Sequence, residues 1–141
     1  MKFDAENKIQ EFIECAIAFT AYDRVDRILH RSAIDAKKNA ALGKKIALLE
    51  KQLIKFALDE FVKLLDEQNL AVAEVAAECL YPLYPKKCIK ILKEYSDTLS
   101  EDLEKYRVKT LIEAYETEQK FCMDIFRKFY GCDDLSALNR E

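Results

Sequence analysis

The sequence predicts an all-α protein, and its composition and its hydrophobic periodicity both favour that class. Half of the 141 residues are hydrophobic, yet the chain contains only two glycines and two prolines. A sheet of many strands needs such turn residues repeatedly, whereas long helices do not. Apolar residues also recur three and four positions apart along most of the chain, which is the period of an amphipathic helix. At this length we expect one domain, residues 1–141, with about six to seven helices in antiparallel pairs.

The charge and the cysteine content exclude several classes of protein. The formal net charge is −3 and 35% of the residues are charged, which argues against a general nucleic-acid binder. The N-terminal residues MKFDAENKIQ lack an apolar secretory core, and no stretch approaches the roughly 20 apolar residues of a membrane span. We therefore expect a cytoplasmic protein without a membrane partner. The five cysteines form no CxxC pair and the chain has one histidine, so we expect reduced thiols, no metal and no cofactor.

The N-terminal region, about residues 4–50, is predicted to contain the first helices. A first helix over residues 4–21 has inward positions at Ile9, Phe12, Ile13, Ala16, Ile17 and either Phe19 or Thr20. Asp23 can cap the next helix, because its carboxylate accepts the free amides of a first turn. Residues 24–55 contain no proline and a single breaker, Gly43. They form either one bent helix or, as suits a compact domain better, two helices with a turn near residues 50–53.

The middle of the chain carries the clearest local signals. A near-heptad series of apolar residues predicts one buried seam: Leu42, Ile46, Leu49, Leu53, Phe56, Phe61 and Leu64. After a polar corner at residues 66–69, Asn69 is placed to cap a helix that starts at Leu70. The next residues are so uniformly small or apolar that this helix must be covered on most sides: Val72, Val75, Ala76, Ala77, Cys79 and Leu80. Pro82 and Pro85 predict a tight connection at residues 81–84.

Three further segments complete the predicted fold. A helix runs from Pro85 to about Tyr95, and a loop follows at residues 96–100. Ser100 is a suitable start for a helix over residues 101–117. Its inward positions are Leu103, Tyr106, Val108, Leu111, Ile112 and Tyr115. A C-terminal helix over about residues 118–131 ends at Gly131.

Residues 61–92 also indicate an internal repeat. The segment FVKLLDE, residues 61–67, aligns with CIKILKE, residues 88–94, which is typical of a two-helix unit of about 30 residues used twice, although any two amphipathic helices match at this level. LLDEQNLAVAEVAAECLYPLYPKKCIKIL resembles the HEAT-like pattern, with an acidic corner, a valine and an Ala-Ala pair. With the upstream KKNAALGKKIALL, it is similar to a family of small bacterial α-superhelical proteins of unknown function. The resemblance implies HEAT-like repeats over about residues 52–117, an α-α superhelix and a binding role.

The sequence departs from that family in one respect. HEAT repeats often carry an arginine just after the valine, where this chain has Ala73 and Glu74. A ladder of ion pairs between repeats is therefore not expected.

Candidate binding residues fall into a basic and an aromatic group. Between residues 24 and 55 there are nine basic and three acidic residues, a local charge of +6 in a chain of −3. The steps between the basic side chains follow one helix face beside a histidine, and the set is Arg24, Arg27, His30, Arg31, Lys38 and Lys45. This stripe can hold an acidic protein surface or a phosphate group, although a solvated face is the commoner arrangement. Tyr81 and Tyr84, near Tyr95, either form an aromatic patch for a partner or pack the turn.

No pattern in the sequence predicts catalysis. The acidic residues near the C-terminus lack an ExxH motif and are expected to be solvated: Glu101, Asp102, Glu104, Glu113, Glu116 and Glu118. The cysteines are expected to be small buried hydrophobes, namely Cys15, Cys79, Cys88 and Cys122. We therefore expect a non-enzymatic protein-protein interaction module of unknown partner, for example a bacterial immunity or antitoxin-like protein. The alternatives are a HEAT-like nucleic-acid-binding protein or DNA glycosylase, and a homo-oligomer assembled through residues 121–129.

Overall fold

The structure is a computed structural model that describes residues 3–22, 33–99 and 102–117. Within these ranges it contains six α-helices, one 3₁₀ turn and no strand. The elements are α1 (Ala5–Tyr22), α2 (Ala33–Phe56), α3 (Leu58–Val62), the 3₁₀ turn (Lys63–Asp66), α4 (Leu70–Leu80), α5 (Pro85–Thr98) and α6 (Asp102–Thr117). The all-α prediction is confirmed for this part of the chain. None of the described helices combines the length and the apolarity that are needed to cross a membrane.

The chain divides into two compact units, Met1–Val75 and Ala76–Glu141. In the first unit α1 packs against α2, and α3 packs against α1. Phe12 of α1 and Phe61 of α3 are both fully buried, and their rings meet edge to face with centroids 4.9 Å apart. Such aromatic pairs contribute about 0.5–1.5 kcal/mol beyond the area that they bury. The rest of this core includes Cys15, Ala16, Ile46, Leu49, Leu53, Ala57, Leu64 and Leu65.

Helix α2 is continuous where the sequence favoured a turn. The predicted turn near residues 50–53 is wrong, because α2 extends to Phe56 and the backbone leaves helical geometry only at Ala57, with φ −149° and ψ 44°. The amide of Ala57 still donates to the carbonyl of Leu53 at 2.8 Å, and its own carbonyl accepts from Phe61 at 3.0 Å. Residues 50–53 contain good helix formers and no breaker, so nothing local interrupts the helix there.

Gly43 lies inside α2 and does not break it. A Cβ atom on this residue would lie 3.6 Å from the ring of Phe19 on α1, which is ordinary van der Waals contact. The glycine therefore faces α1, with room for one methyl group.

Three residues that were predicted to point inward are exposed instead. Ile17 is 45% exposed, Phe56 is 59% exposed and Tyr106 is 71% exposed. Tyr106 precedes the buried Val108 by two residues, a rotation of about 200° on a helix, which places it on the opposite face. Ile17 follows the buried Ala16 by one residue and is turned by about 100° from it. Phe56 is the last residue of α2, and the next residue, Ala57, takes the buried position there instead.

The start of α4 follows the sequence prediction closely. The side-chain oxygen of Asn69 accepts hydrogen bonds from the backbone amides of Ala71 at 3.0 Å and Val72 at 3.4 Å, so the predicted cap is confirmed. Every residue from Val72 to Ala77 is buried, as are Cys79 and Leu80. The prediction that this helix is covered on most sides is therefore confirmed.

The second unit contains the proline turn and the pair α5 and α6, which pack against each other. The amides of Leu83 and Tyr84 both donate to the carbonyl of Leu80 at 3.0 Å, and Pro85 opens α5. This confirms the tight connection and the helical role of Pro85. The predicted loop at residues 96–100 starts too early, because α5 continues to Thr98 and Ser96 is buried within it. The core of this helix pair consists of Cys88, Ile91, Leu92, Val108 and Ile112.

Several predictions fall on residues or side chains that the structure does not describe. They are the cap at Asp23, the helix start at Ser100, the C-terminal helix over residues 118–131, and the side chains of Leu103, Cys122 and Glu118. The homo-oligomer interface over residues 121–129 lies there too.

Candidate interaction surface

Four of the eight predicted site residues lie within the described ranges. Lys38 and Lys45 are on α2, and Tyr81 and Tyr84 are in the connection between α4 and α5. The other four, Arg24, Arg27, His30 and Arg31, lie outside those ranges.

The exposed side of α2 is rich in lysine. Lys38 and Lys45 are both exposed and seven residues apart, so they lie on one side of the helix, as their spacing predicted. The structure adds four more exposed lysines and an exposed leucine on the same helix. We call this surface the lysine face; it consists of Lys37, Lys38, Lys44, Lys45, Leu48, Lys51 and Lys55.

The centre of the lysine face, at Leu48, lies away from the core of its own unit, while Lys45 at its edge is close enough to act on the buried Cys15 thiol of α1. Leu48 is 58% exposed, whereas Ile46, two residues earlier, is 8% exposed and belongs to the core. Two residues correspond to a rotation of about 200°, so the two side chains leave the helix on opposite sides. The prediction from sequence missed Lys37, Lys44, Lys51, Lys55 and Leu48. The pattern that could have found them is the seven-residue spacing that also relates Lys38 to Lys45: it relates Lys37, Lys44 and Lys51 to one another, and Leu48 to Lys55.

The charge of the lysine face is of one sign. Over residues 36–56, where side chains are described, every exposed charged residue is a lysine. Glu50 is the single acidic residue in that range, and it is only partly exposed. Lysines seven residues apart are separated by about 10.5 Å along the axis, slightly more than the Debye length of about 8 Å at physiological salt. Repulsion between lysines at that spacing is therefore largely screened, whereas Lys51 and Lys55, four residues or about 6 Å apart along the axis, still repel each other. Together the six lysines make a local positive field.

An aromatic pair lies at the C-terminal end of the lysine face. The rings of Phe56 and Phe3 have centroids 5.3 Å apart with planes tilted by 35°. The ammonium of Lys55 lies 5.2 Å from the centroid of the Phe56 ring, within the range of a cation–π contact. This end of α2 therefore offers an exposed apolar surface beside a positive charge.

Tyr81 is part of the core of the second unit. It is 1% exposed, and its ring stacks on that of Tyr115 with centroids 4.0 Å apart and an interplanar angle of 12°. Its hydroxyl donates a hydrogen bond to the backbone carbonyl of Tyr115. Tyr84 and Tyr95 are partly exposed. In this structure Tyr81 thus joins the proline turn to α6, which is the packing role.

A groove of about 300 Å³ lies between α5 and α6. Two lysines and two carboxylates line it, so it carries no net charge; the lining residues are Lys93, Ser96, Asp97, Lys109, Ile112 and Glu113. Lys93 also reaches Glu116 at 3.2 Å across the two helices. The hydroxyl oxygen of Ser96 is buried and has no hydrogen-bond partner in the described structure.

The described residues show no arrangement for nucleophilic or metal chemistry. Cys15, Cys79 and Cys88 are buried cysteines outside any disulfide. Burial raises the pKa of the Cys15 thiol, although the positive charge of Lys45 opposes this shift. The thiol is therefore protonated at neutral pH, and a protonated thiol is a poor nucleophile. Among these residues no cluster of three or more potential metal ligands occurs. Glu74 is a buried carboxylate in α4, 1% exposed.

Comparison of the chain with protein-family models, with curated proteins and with solved structures gives no match. The HEAT-like resemblance therefore stays a prediction from the residues that carry it.

Proposed function

We propose that this protein is a non-enzymatic protein-interaction module of the HEAT-like α-superhelical kind, and that the lysine face of α2 contacts an acidic surface of a partner protein. One observation carries the proposal: six exposed lysines surround an exposed leucine, without an exposed acidic residue over residues 36–56. A bacterial immunity or antitoxin-like protein, which neutralises its partner by covering part of it, is the concrete form of this function.

The energetics of such a contact favour specificity and fast association. An exposed ion pair contributes only about 0.2–1 kcal/mol, so six lysines do not by themselves give tight binding. A field of one sign does accelerate the encounter with an opposite charge, by about 10- to 1000-fold at low salt. Leu48 adds an apolar contact. Since 58% of it is exposed, covering that area contributes about 1–2 kcal/mol.

A protein suits this surface better than a nucleic acid does. Affinity for DNA comes mainly from contacts between basic side chains and phosphates, and a chain of net charge −3 opposes the approach of a polyanion. An apolar residue in the middle of the lysines has no partner on a phosphate backbone. On a protein this apolar residue can contact other apolar side chains, because protein interfaces place apolar contacts at the centre and charged groups at the rim.

The test is capture of a partner from source-cell lysate by the full-length chain in three forms. These are the wild type, the α2 variant Lys37→Glu/Lys44→Glu, and the matched control Lys86→Glu/Lys90→Glu. Both variants change the net charge by the same amount at exposed helix positions. Bound proteins are identified by mass spectrometry at low and at high salt, and nucleic acid in the eluate is measured in parallel.

We expect the wild type and the control to retain the same acidic protein and the α2 variant to lose it, with retention weaker at high salt. Equal retention by all three forms refutes a role for the lysine face. Recovery of nucleic acid in place of a protein, dependent on the same two lysines, supports the nucleic-acid alternative instead.

A further inference from the structure

The exposed stripe of α2 has the spacing of a helix-binding seam. Its central row runs through residues 37, 41, 44, 48, 51 and 55, in alternating steps of four and three. These are the steps of the a and d positions of a heptad, which keep a second helix in continuous contact. The row at residues 42, 46, 49 and 53 has the same steps, and its Ile46, Leu49 and Leu53 are buried on the side of α2 that packs on α1. Helix α2 thus has two seams, and only one is covered by the described residues.

The composition of the exposed row specifies what can lie on it. Apolar Ala41 and Leu48 hold the second and fourth of its six positions, and lysines hold the other four. A partner helix can match this pattern with small or apolar residues facing Ala41 and Leu48, and with Asp or Glu facing Lys37, Lys44 and Lys51. Interhelical ion pairs of this kind set the choice and orientation of partners in coiled coils.

We propose that the lysine face binds an acidic amphipathic α-helix of the partner protein, which lies along α2. This rests on the proposed function and names the element of the partner that is recognised. The row from residue 37 to residue 55 covers 19 residues and rises about 27 Å on an α-helix, which accommodates about five turns of a second helix. A segment of that length fits the helix-in-groove mode of recognition, with anchors three and four residues apart.

Neither a membrane surface nor a nucleic acid matches the row as well. A helix that lies on a membrane needs a wide apolar face, and here Leu48 is the single large apolar side chain within the row. Phosphate groups would pair with the lysines and leave Leu48 in water.

The inference is tested with the full-length chain and two synthetic peptides of 21 residues. The first has leucine at every seventh position, glutamate three and four positions after each leucine, and alanine elsewhere, so that it forms an acidic amphipathic helix. The second is a scrambled peptide of the same composition and charge. Binding is measured by fluorescence anisotropy at low salt, for the wild type, for Lys37→Glu/Lys44→Glu, for Leu48→Ser and for the control Lys86→Glu/Lys90→Glu.

We expect the wild type and the control to bind the helical peptide about tenfold more tightly than the scrambled peptide, and both α2 variants to lose that preference. All substituted side chains are exposed, so far-UV circular dichroism should show the same helix content in each variant. Equal binding of the two peptides, or no binding of either, overturns the inference. So does tighter, lysine-dependent binding to duplex DNA or to vesicles of anionic lipid.

Failure here is distinguishable from failure of the proposed function. If lysate capture depends on Lys37 and Lys44 while the two peptides bind equally, an acidic protein is recognised through a surface that is not a helix. If lysate capture does not depend on these lysines, the interaction surface itself is wrong.

Discussion

Substitution of Tyr81 tests whether this residue packs the core or binds a partner, because the two roles predict different effects of the same substitution. Its ring is fully covered and stacked on Tyr115, and its hydroxyl donates to the Tyr115 carbonyl. Tyr81→Phe keeps the ring and removes one hydrogen bond, which should lower the free energy of unfolding by about 0.5–1.5 kcal/mol. Tyr81→Ala also removes the ring, and the loss should be about 3–5 kcal/mol, as for other large buried aromatic residues.

Urea unfolding followed by circular dichroism measures both losses. Tyr84→Phe is the matched control, since that side chain is partly exposed, and its unfolding free energy should change by less than about 0.5 kcal/mol. If Tyr81→Ala unfolds at the same urea concentration as the wild type, Tyr81 is not a core residue. If that variant instead loses binding to a captured partner at unchanged stability, the aromatic patch predicted from sequence is the better interpretation.

Substitutions at three further residues test the helices and the buried thiol. Gly43→Ala should raise the free energy of unfolding by about 0.5–1 kcal/mol, because alanine favours the helix and the added Cβ meets the Phe19 ring at 3.6 Å. A loss of stability in urea unfolding would show that α1 and α2 are too close together for the added methyl group. Asn69→Ala should cost about 1 kcal/mol in urea unfolding, and Asn69→Asp should retain most of the cap, whereas equal losses would argue against the capping bonds to Ala71 and Val72. The pKa of Cys15 is raised by burial, so the folded state holds the thiol proton more tightly than the unfolded state does. The resulting contribution to the free energy of unfolding is complete below the unfolded pKa of about 8.5, and it is lost as the pH rises through the folded pKa. Stability measured at pH 7.5 and pH 10 should therefore fall more for the wild type than for Cys15→Ala; parallel profiles would contradict the burial of that thiol.

The sequence predicted those features of the fold that depend on a few neighbouring residues. Asn69 caps α4 because its side chain reaches amides two and three residues away. Pro85 opens α5 because its fixed φ and missing amide suit the first turn wherever it occurs. The cover around α4 was predictable from its run of small and apolar residues, since no polar side chain except Glu74 interrupts residues 70–77.

The lysine face was only partly predictable. The sequence placed Lys38 and Lys45 on one stripe, because a seven-residue step returns to nearly the same side of any helix. It did not show that Lys37, Lys44 and Lys51 accompany them, because the positions that face α1 had to be known first. The exposure of Leu48 in the middle of these lysines was not predictable for the same reason.

Sequence alone determined the helical class, the Asn69 cap and the proline turn of this protein, because each depends on bonds and dihedral angles within about four residues. Tertiary structure decided where α2 and α5 end, which side of α6 carries Tyr106, and that Tyr81 finds its partner 34 residues away at Tyr115. Those outcomes depend on which distant side chains meet, and burial then outweighs the weak local preferences. The lysine face arises from both: spacing aligned its charges, and the packing of α1 on α2 left them exposed.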